Sequence, residues 1–293
     1  MSDPDAEDCH QGLERDVSYK TIMVSLALDR SNDACLAVAG DLAERFGARV
    51  IGVSASDIRP ALYFAEGNTA QAVLEEEAAA IRTRLSELEM EFRALVSPRA
   101  KSIEWRSALT LPTPFIMQQA RAADVVVAGQ RAEALVDPCV AVDPSDLVMR
   151  AGRPLIVVPP TVQWLDPRSV LVAWKDAREA RRAVFDALPI LATAEEVTIA
   201  EVAEQGTERA EALSHVEDVA AWLRGHGIVA NAVVPEAETA DSVAEQIERI
   251  AANLGAGTVI AGAYCHSRFR EWILGGVTRH LSTQSGRCAF LSR

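Results

Sequence analysis

Short unbroken apolar runs alternate along this chain with longer stretches rich in Ala, Glu, Arg and Leu, from about residue 20 to the end. Runs of this length and β-branched content predict buried strands, and the stretches between them predict helices. In the first half the strands fall at 20–26, 49–54, 102–108, 124–129 and 154–158. Helices are predicted at 31–46, which Gly47 can cap, at 68–97, at 112–122 and at 145–151. The second half reads as strands 169–174, 196–202, 228–234, 257–262 and 287–292 with helices 177–192, 207–224, 240–253 and 277–284. Strand and helix in alternation argue for parallel strands joined by right-handed crossovers, with helices on both faces. The predicted fold class is α/β: two doubly wound, five-stranded parallel sheets.

The plan is written twice. DVVVAG, ending at Gly129, recurs as TVIAG, ending at Gly262, an offset of 133 residues. Gly152-Arg153 before PLIVVPP recurs as Gly286-Arg287 before CAFLSR, an offset of 134. SVLVAW at 169–174 answers the opening strand at 20–26. These anchors divide the chain into an acidic leader (1–17), a first unit (18–160), a short linker (161–168) and a second unit (169–293). Pro159-Pro160 and Asp166-Pro167 stiffen the join. In doubly wound sheets a ligand sits at the carboxyl ends of the strands where their order reverses, which directs attention to the loops after the first and fourth strands of each half.

Charge narrows the function classes. A net charge of −13 repels polyanions, so neither nucleic acid nor an anionic membrane surface is an expected partner. The leader has no basic start or apolar centre, and no apolar run approaches the ~18 residues of a membrane span, so a cytoplasmic location is expected. Five scattered cysteines without a CxxC pair point to reduced thiols rather than disulfides or zinc. The five histidines show no ligand spacing, and no metal site is assigned. Trp164, Trp174, Trp222 and Trp272 read as packing residues.

The loop after the second half's fourth strand is the most informative stretch, running from Gly262 through Cys265, His266, Ser267 and Arg268 to Gly275, Gly276, Val277 and Thr278. It resembles the universal stress protein family, whose nucleotide-binding members carry G-x2-G-x9-G followed by Ser or Thr. VAWKDAREARRAVFDALPIL, at 172–191, is similar to the opening of that family's tandem members. The resemblance covers about residues 19–293. It implies an adenine-nucleotide alpha-hydrolase-like fold and stress-response function, with ATP or another adenine nucleotide bound in the second half. Magnesium is implied only as carried by the nucleotide. The implied contacts are Asp176 or its neighbour Lys175, Val202, Gly262, Cys265, His266, Ser267, Arg268, Gly275, Gly276, Val277 and Thr278. The physical reason is backbone N–H groups converging on phosphate at a helix N-terminus, with glycine permitting close approach. Cys265 stands where the motif has its second glycine, and Gly276 where it has the hydroxyl, with Thr278 two residues on as a substitute.

In the first half Ala132 takes the second glycine's place and Val142 the third's, followed by Asp143 and Pro144. A carboxylate repels anions and proline offers no N–H, so this half is expected to have lost the site. Asp29 then reads as a helix-start residue beside Ser31 and Asn32. The resemblance also implies antiparallel pairing of the final strands, giving a homodimer or an internal pseudo-dimer, and an unidentified protein partner. No catalytic residue is assigned: Ser267 beside His266 lacks a nucleophile elbow. Cys265 and Cys288 lie near adjacent predicted strands, where a redox pair competes with the commoner inert buried thiols. Three functions compete at this stage: a nucleotide sensor, a nucleotide-independent dimeric interaction module, and a weak nucleotide hydrolase.

Overall fold

A computed structural model describes residues 18–58, 67–131, 137–203, 208–236, 242–263, 265–266 and 273–293. Its first half runs β1 (Thr21–Ser25), α1 (Asp33–Phe46), β2 (Arg49–Ser56), α2 (Gly67–Val96), β3 (Ser102–Leu109), α3 (Pro112–Gln119), β4 (Val125–Gly129), α4 (Pro144–Arg150) and β5 (Leu155–Val158). The second half runs β6 (Ser169–Trp174), α5 (Arg178–Asp186), α6 (Leu188–Leu191), β7 (Glu196–Glu201), α7 (Arg209–Gly225), β8 (Ala230–Val233), α8 (Val243–Asn253), β9 (Thr258–Gly262), β10 (Cys265–His266), β11 (Ile273–Leu274), α9 (Gly276–Thr283) and β12 (Cys288–Ser292).

The strand order is β3-β2-β1-β4-β5-β12-β9-β6-β7-β8. Each half is five parallel strands in the same order, and the reversals fall between β1 and β4 and between β6 and β9. Instead of two separate sheets there is one of ten strands, because β5 and β12 pair antiparallel, Ile156 opposite Phe290. That pairing covers two apolar strands that would otherwise be open edges.

Alternation along the strands sorts the core into two layers. Val170, Val172 and Trp174 join α1, α2, α5 and α7 on one face, whereas Leu171 and Ala173 join α3, α4, α8 and α9 on the other. Both layers run across the seam, which is also tied by the Tyr19 hydroxyl donating to the Asp186 carbonyl at 2.7 Å and by Arg293 Nη1 donating to the Met149 carbonyl at 2.9 Å. Cys35 of α1 and Cys288 of β12 are buried free thiols in the same layer, each pushed up to about 12 mainly by burial.

Three local expectations change. The helix expected over 177–192 breaks into α5 and α6 at Pro189, which has no N–H to continue the ladder. The helix expected from 240 begins at Val243, set by a capping box in which the Ser242 hydroxyl accepts from the Glu245 N–H and the Glu245 carboxylate accepts from the Ser242 N–H. The loop after β9 contains an antiparallel hairpin, β10 with β11, pairing Cys265 with Leu274 and His266 with Ile273.

Candidate functional site

The second half's reversal point opens into a cleft of about 770 Å³. Its floor is the ends of β6, β7 and β9, represented by Ala173, Trp174, Lys175, Val202, Ala261 and Gly262. Two helix N-termini form its walls: Ser242 to Ile247 of α8, and Gly275 to Thr278 of α9. Arg279, His280, Thr283 and Gln284 complete the lining.

The two helix ends differ chemically. At α8 the Ser242–Glu245 box occupies the N–H groups of Ser242 and Glu245, and the hydrogen bonds from Ser242 hold the Glu245 carboxyl below its ordinary range. At α9 the N-cap is Gly275, no side chain caps the helix, and a Cβ built on Gly276 would meet nothing within 4 Å. An uncapped N-terminus presents N–H donors and a favourable partial charge to an anion. Lys175, Arg279 and His280 add basic groups to the same cleft. The His280 ring is held by Gln284 (Nδ1 to Oε1, 3.2 Å) and lies 3.7 Å from Glu248, which also pairs with Arg287 at 3.3 Å.

Of the residues singled out in the sequence, Val202, Gly262, Gly275, Gly276, Val277 and Thr278 come together around this cleft. Asp176 does not: it is ion-paired with Arg181 and lines a separate cleft on the other face of the sheet, while Lys175 lines the cleft at the order reversal. Thr278 cannot stand in for the motif's missing hydroxyl, because it is 1% exposed and its Oγ1 donates to the Gly262 carbonyl at 3.5 Å. Gly262 has a packing reason of its own: a Cβ there would lie 2.6 Å from the backbone nitrogen of Ala180 and from the carbonyl carbon of Glu179, so its absence lets α5 seat on β9. Cys265 and His266 lie on β10, their side chains outside the described residues, as are Ser267 and Arg268 altogether. Sequence reasoning missed the α8 wall, although Ser242 followed three residues later by Glu245 is a capping-box signature.

The first half's equivalent cleft measures only about 30 Å³. Arg131, its side chain 7% exposed, lies in this cleft's lining and pairs with Asp29 at 2.9 Å, and Arg30 Nη1 donates to the Gln130 carbonyl at 2.7 Å. Asp29 is therefore a partner for Arg131 rather than a helix-start residue; the N-cap of α1 is Asn32, whose Oδ1 accepts from the Ala27 N–H. At α4 the N-cap is Asp143, whose carboxylate accepts from the Ser145 N–H at 2.8 Å. By cap position Asp143, not Val142, answers Gly275, and it occupies the helix end that α9 leaves open.

A parallel α/β sheet with a basic, glycine-necked cleft at its order reversal is the architecture of a doubly wound protein, with its crevice at the carboxyl ends of the strands. No family model matches this sequence, and no curated protein does. Among solved structures, a universal stress protein from Archaeoglobus fulgidus DSM 4304 superposes with a TM-score of 0.64 at 15% identity, covering 93% of this chain and 98% of that one. A functionally unknown protein from Pseudomonas aeruginosa PAO1 gives 0.57 at 14% identity over 95% and 94%. A universal stress protein in complex with cAMP aligns with 48% of this chain at 18% identity and a TM-score of 0.35. The chain has the universal stress protein fold in its tandem form, both halves lying within the Archaeoglobus alignment. Among the described residues no helix is long and apolar enough to cross a membrane.

Proposed function

We propose that this chain is a tandem universal stress protein that binds ATP or another adenine nucleotide in its second half and passes the bound state to a protein partner in a stress response. The observation that carries the reading is the contrast at α9: a cleft of about 770 Å³ ends on an uncapped helix N-terminus, against about 30 Å³ and an aspartate cap in the first half. A volume in the range of small-molecule sites, glycines at 275 and 276, and Lys175, Arg279 and His280 in the lining suit a polyphosphate. Lys175 cannot accept from a ribose hydroxyl, so in this reading it meets phosphate or a ring acceptor. Magnesium enters with the nucleotide, and no turnover is assigned. The second reading, a nucleotide-independent interaction module, draws on Cys265 and Gly276 standing where the family motif has glycine and a hydroxyl.

The test is to denature freshly purified protein and identify any released small molecule by mass spectrometry, alongside melting curves with millimolar ATP and magnesium. About one adenine nucleotide per chain, or a rise in melting temperature with added ATP, supports the proposal. An empty protein whose melting temperature does not move with ATP, ADP or AMP contradicts it and favours the interaction module.

A further inference from the structure

A second cleft, of about 510 Å³, lies on the opposite face of the sheet between α5 and α7. Its helix positions follow the helical repeat, with Arg181, Val184 and Phe185 on α5 facing His215, Asp218, Val219 and Trp222 on α7. Phe185 and Trp222 are 58% and 42% exposed, large aromatic surface for a soluble chain to leave uncovered. The inner wall is Trp174, only 7% exposed and part of the core layer under these helices. Its indole N–H is buried and has no hydrogen-bond partner. A buried donor without an acceptor costs stability, and indole can only donate. His215 stands beside it, its Nδ1 3.1 Å from Glu201 Oε2; in the tautomer that donates from Nδ1 to this carboxylate, Nε2 is an acceptor.

The charges in the lining select against anions. Asp176 is neutralised by Arg181, whereas Asp218 has no ion pair among the described residues. A nucleotide phosphate therefore belongs in the other cleft. Three aromatic rings, one buried donor and one imidazole acceptor suit a flat, neutral molecule that offers both an acceptor and an N–H.

We infer that the groove between α5 and α7 is a second ligand site, for a neutral planar heteroaromatic carrying a carbonyl or ring-nitrogen acceptor beside an N–H donor. Trp174 borders both clefts, so Phe185→Ala and Trp222→Ala, which line this groove and not the nucleotide cleft, are the variants that separate this site from the nucleotide reading. The probe is 2-quinolone, a neutral bicyclic lactam, titrated into the full chain by calorimetry with naphthalene as the comparison. The expected result is one saturable site per chain that excess Mg-ATP does not displace. Naphthalene binds at least tenfold more weakly, and Trp174→Phe, which keeps an aromatic ring and removes the donor, weakens 2-quinolone about tenfold. Phe185→Ala and Trp222→Ala, at exposed positions, weaken it about fivefold with an unchanged melting temperature. No saturation at millimolar 2-quinolone overturns the inference, as does equal affinity for naphthalene, equal affinity in both Trp174→Phe and Phe185→Ala, or displacement by ATP. Concentration-dependent self-association that Phe185→Ala abolishes would make the groove an interface between copies and overturn it too.

Discussion

The two halves share strand order, helix placement and a glycine at the end of the strand that flanks the reversal, yet one cleft is about 770 Å³ and the other about 30 Å³. The difference comes from a few side chains rather than from the backbone plan. In the first half a buried arginine paired with Asp29 lines the residual space and Asp143 satisfies the helix end; in the second, glycine stands at that cap and the space stays open. A fold of this kind thus holds a reversal point whether or not it uses it, and function is set by what stands at the helix cap and at the strand ends.

The glycines that end β4 and β9 give the sharpest way to separate the halves. At Gly262 a Cβ would sit 2.6 Å from α5 backbone, whereas at Gly129 it would meet only Cys35 Sγ at an ordinary 3.4 Å. Gly262→Ala is expected to cost about 3 kcal/mol of unfolding free energy by overpacking, and Gly129→Ala within about 0.5 kcal/mol of wild type. Denaturant titration of both variants checks this; equal costs would show that the repeat, not the α5 contact, dictates the glycine.

The next effect concerns the caps. Gly275→Asp writes the first half's Asp143 into the second, and Gly275 already has φ −59°, which aspartate adopts freely. Nucleotide affinity is expected to fall at least tenfold while thermal stability rises slightly, because the new carboxylate caps α9, an effect worth about 1 kcal/mol. Melting curves with and without ATP read both signs, and a fall in both would mean the substitution merely damages the fold.

A smaller effect belongs to the seam, where the halves are alike. Cys35 and Cys288 are raised from 9.0 to about 12 by burial, so the unfolded chain ionises first as pH rises. The stability these thiols contribute is intact below pH 9 and is lost between 9 and about 12. By about pH 10 the loss is roughly 1 kcal/mol per thiol, and Cys288→Ala should remove its share when denaturation midpoints are compared on either side of pH 9. An identical pH dependence in that variant would assign the loss to other groups.

Much of this was legible in the chain itself, for traceable reasons. Unbroken apolar strands and repeated anchors at Gly129 and Gly262 carry the order of the halves, and Asp143-Pro144 stands at the helix start where the second half has Gly275-Gly276. Other features turn on single-residue register. Successive side chains at a strand end point to opposite faces, so a one-residue shift between Lys175 and Asp176 decides which of two clefts the side chain lines. The close approach of α5 to Gly262 and the placement of Arg131 in the small cleft depend on elements distant in sequence, and no local pattern announces either. Ser242 and Glu245 were readable as a capping box; their place in the cleft wall follows only from how α8 packs beside α9.

The proposed asymmetry, a nucleotide in the second half and none in the first, is tested most directly by calorimetric titration of the intact chain with Mg-ATP beside the Gly275→Asp variant. One site per chain is expected in the wild type and none measurable at the same concentrations in the variant. Two sites in the wild type, or one that survives Gly275→Asp unchanged, would contradict it.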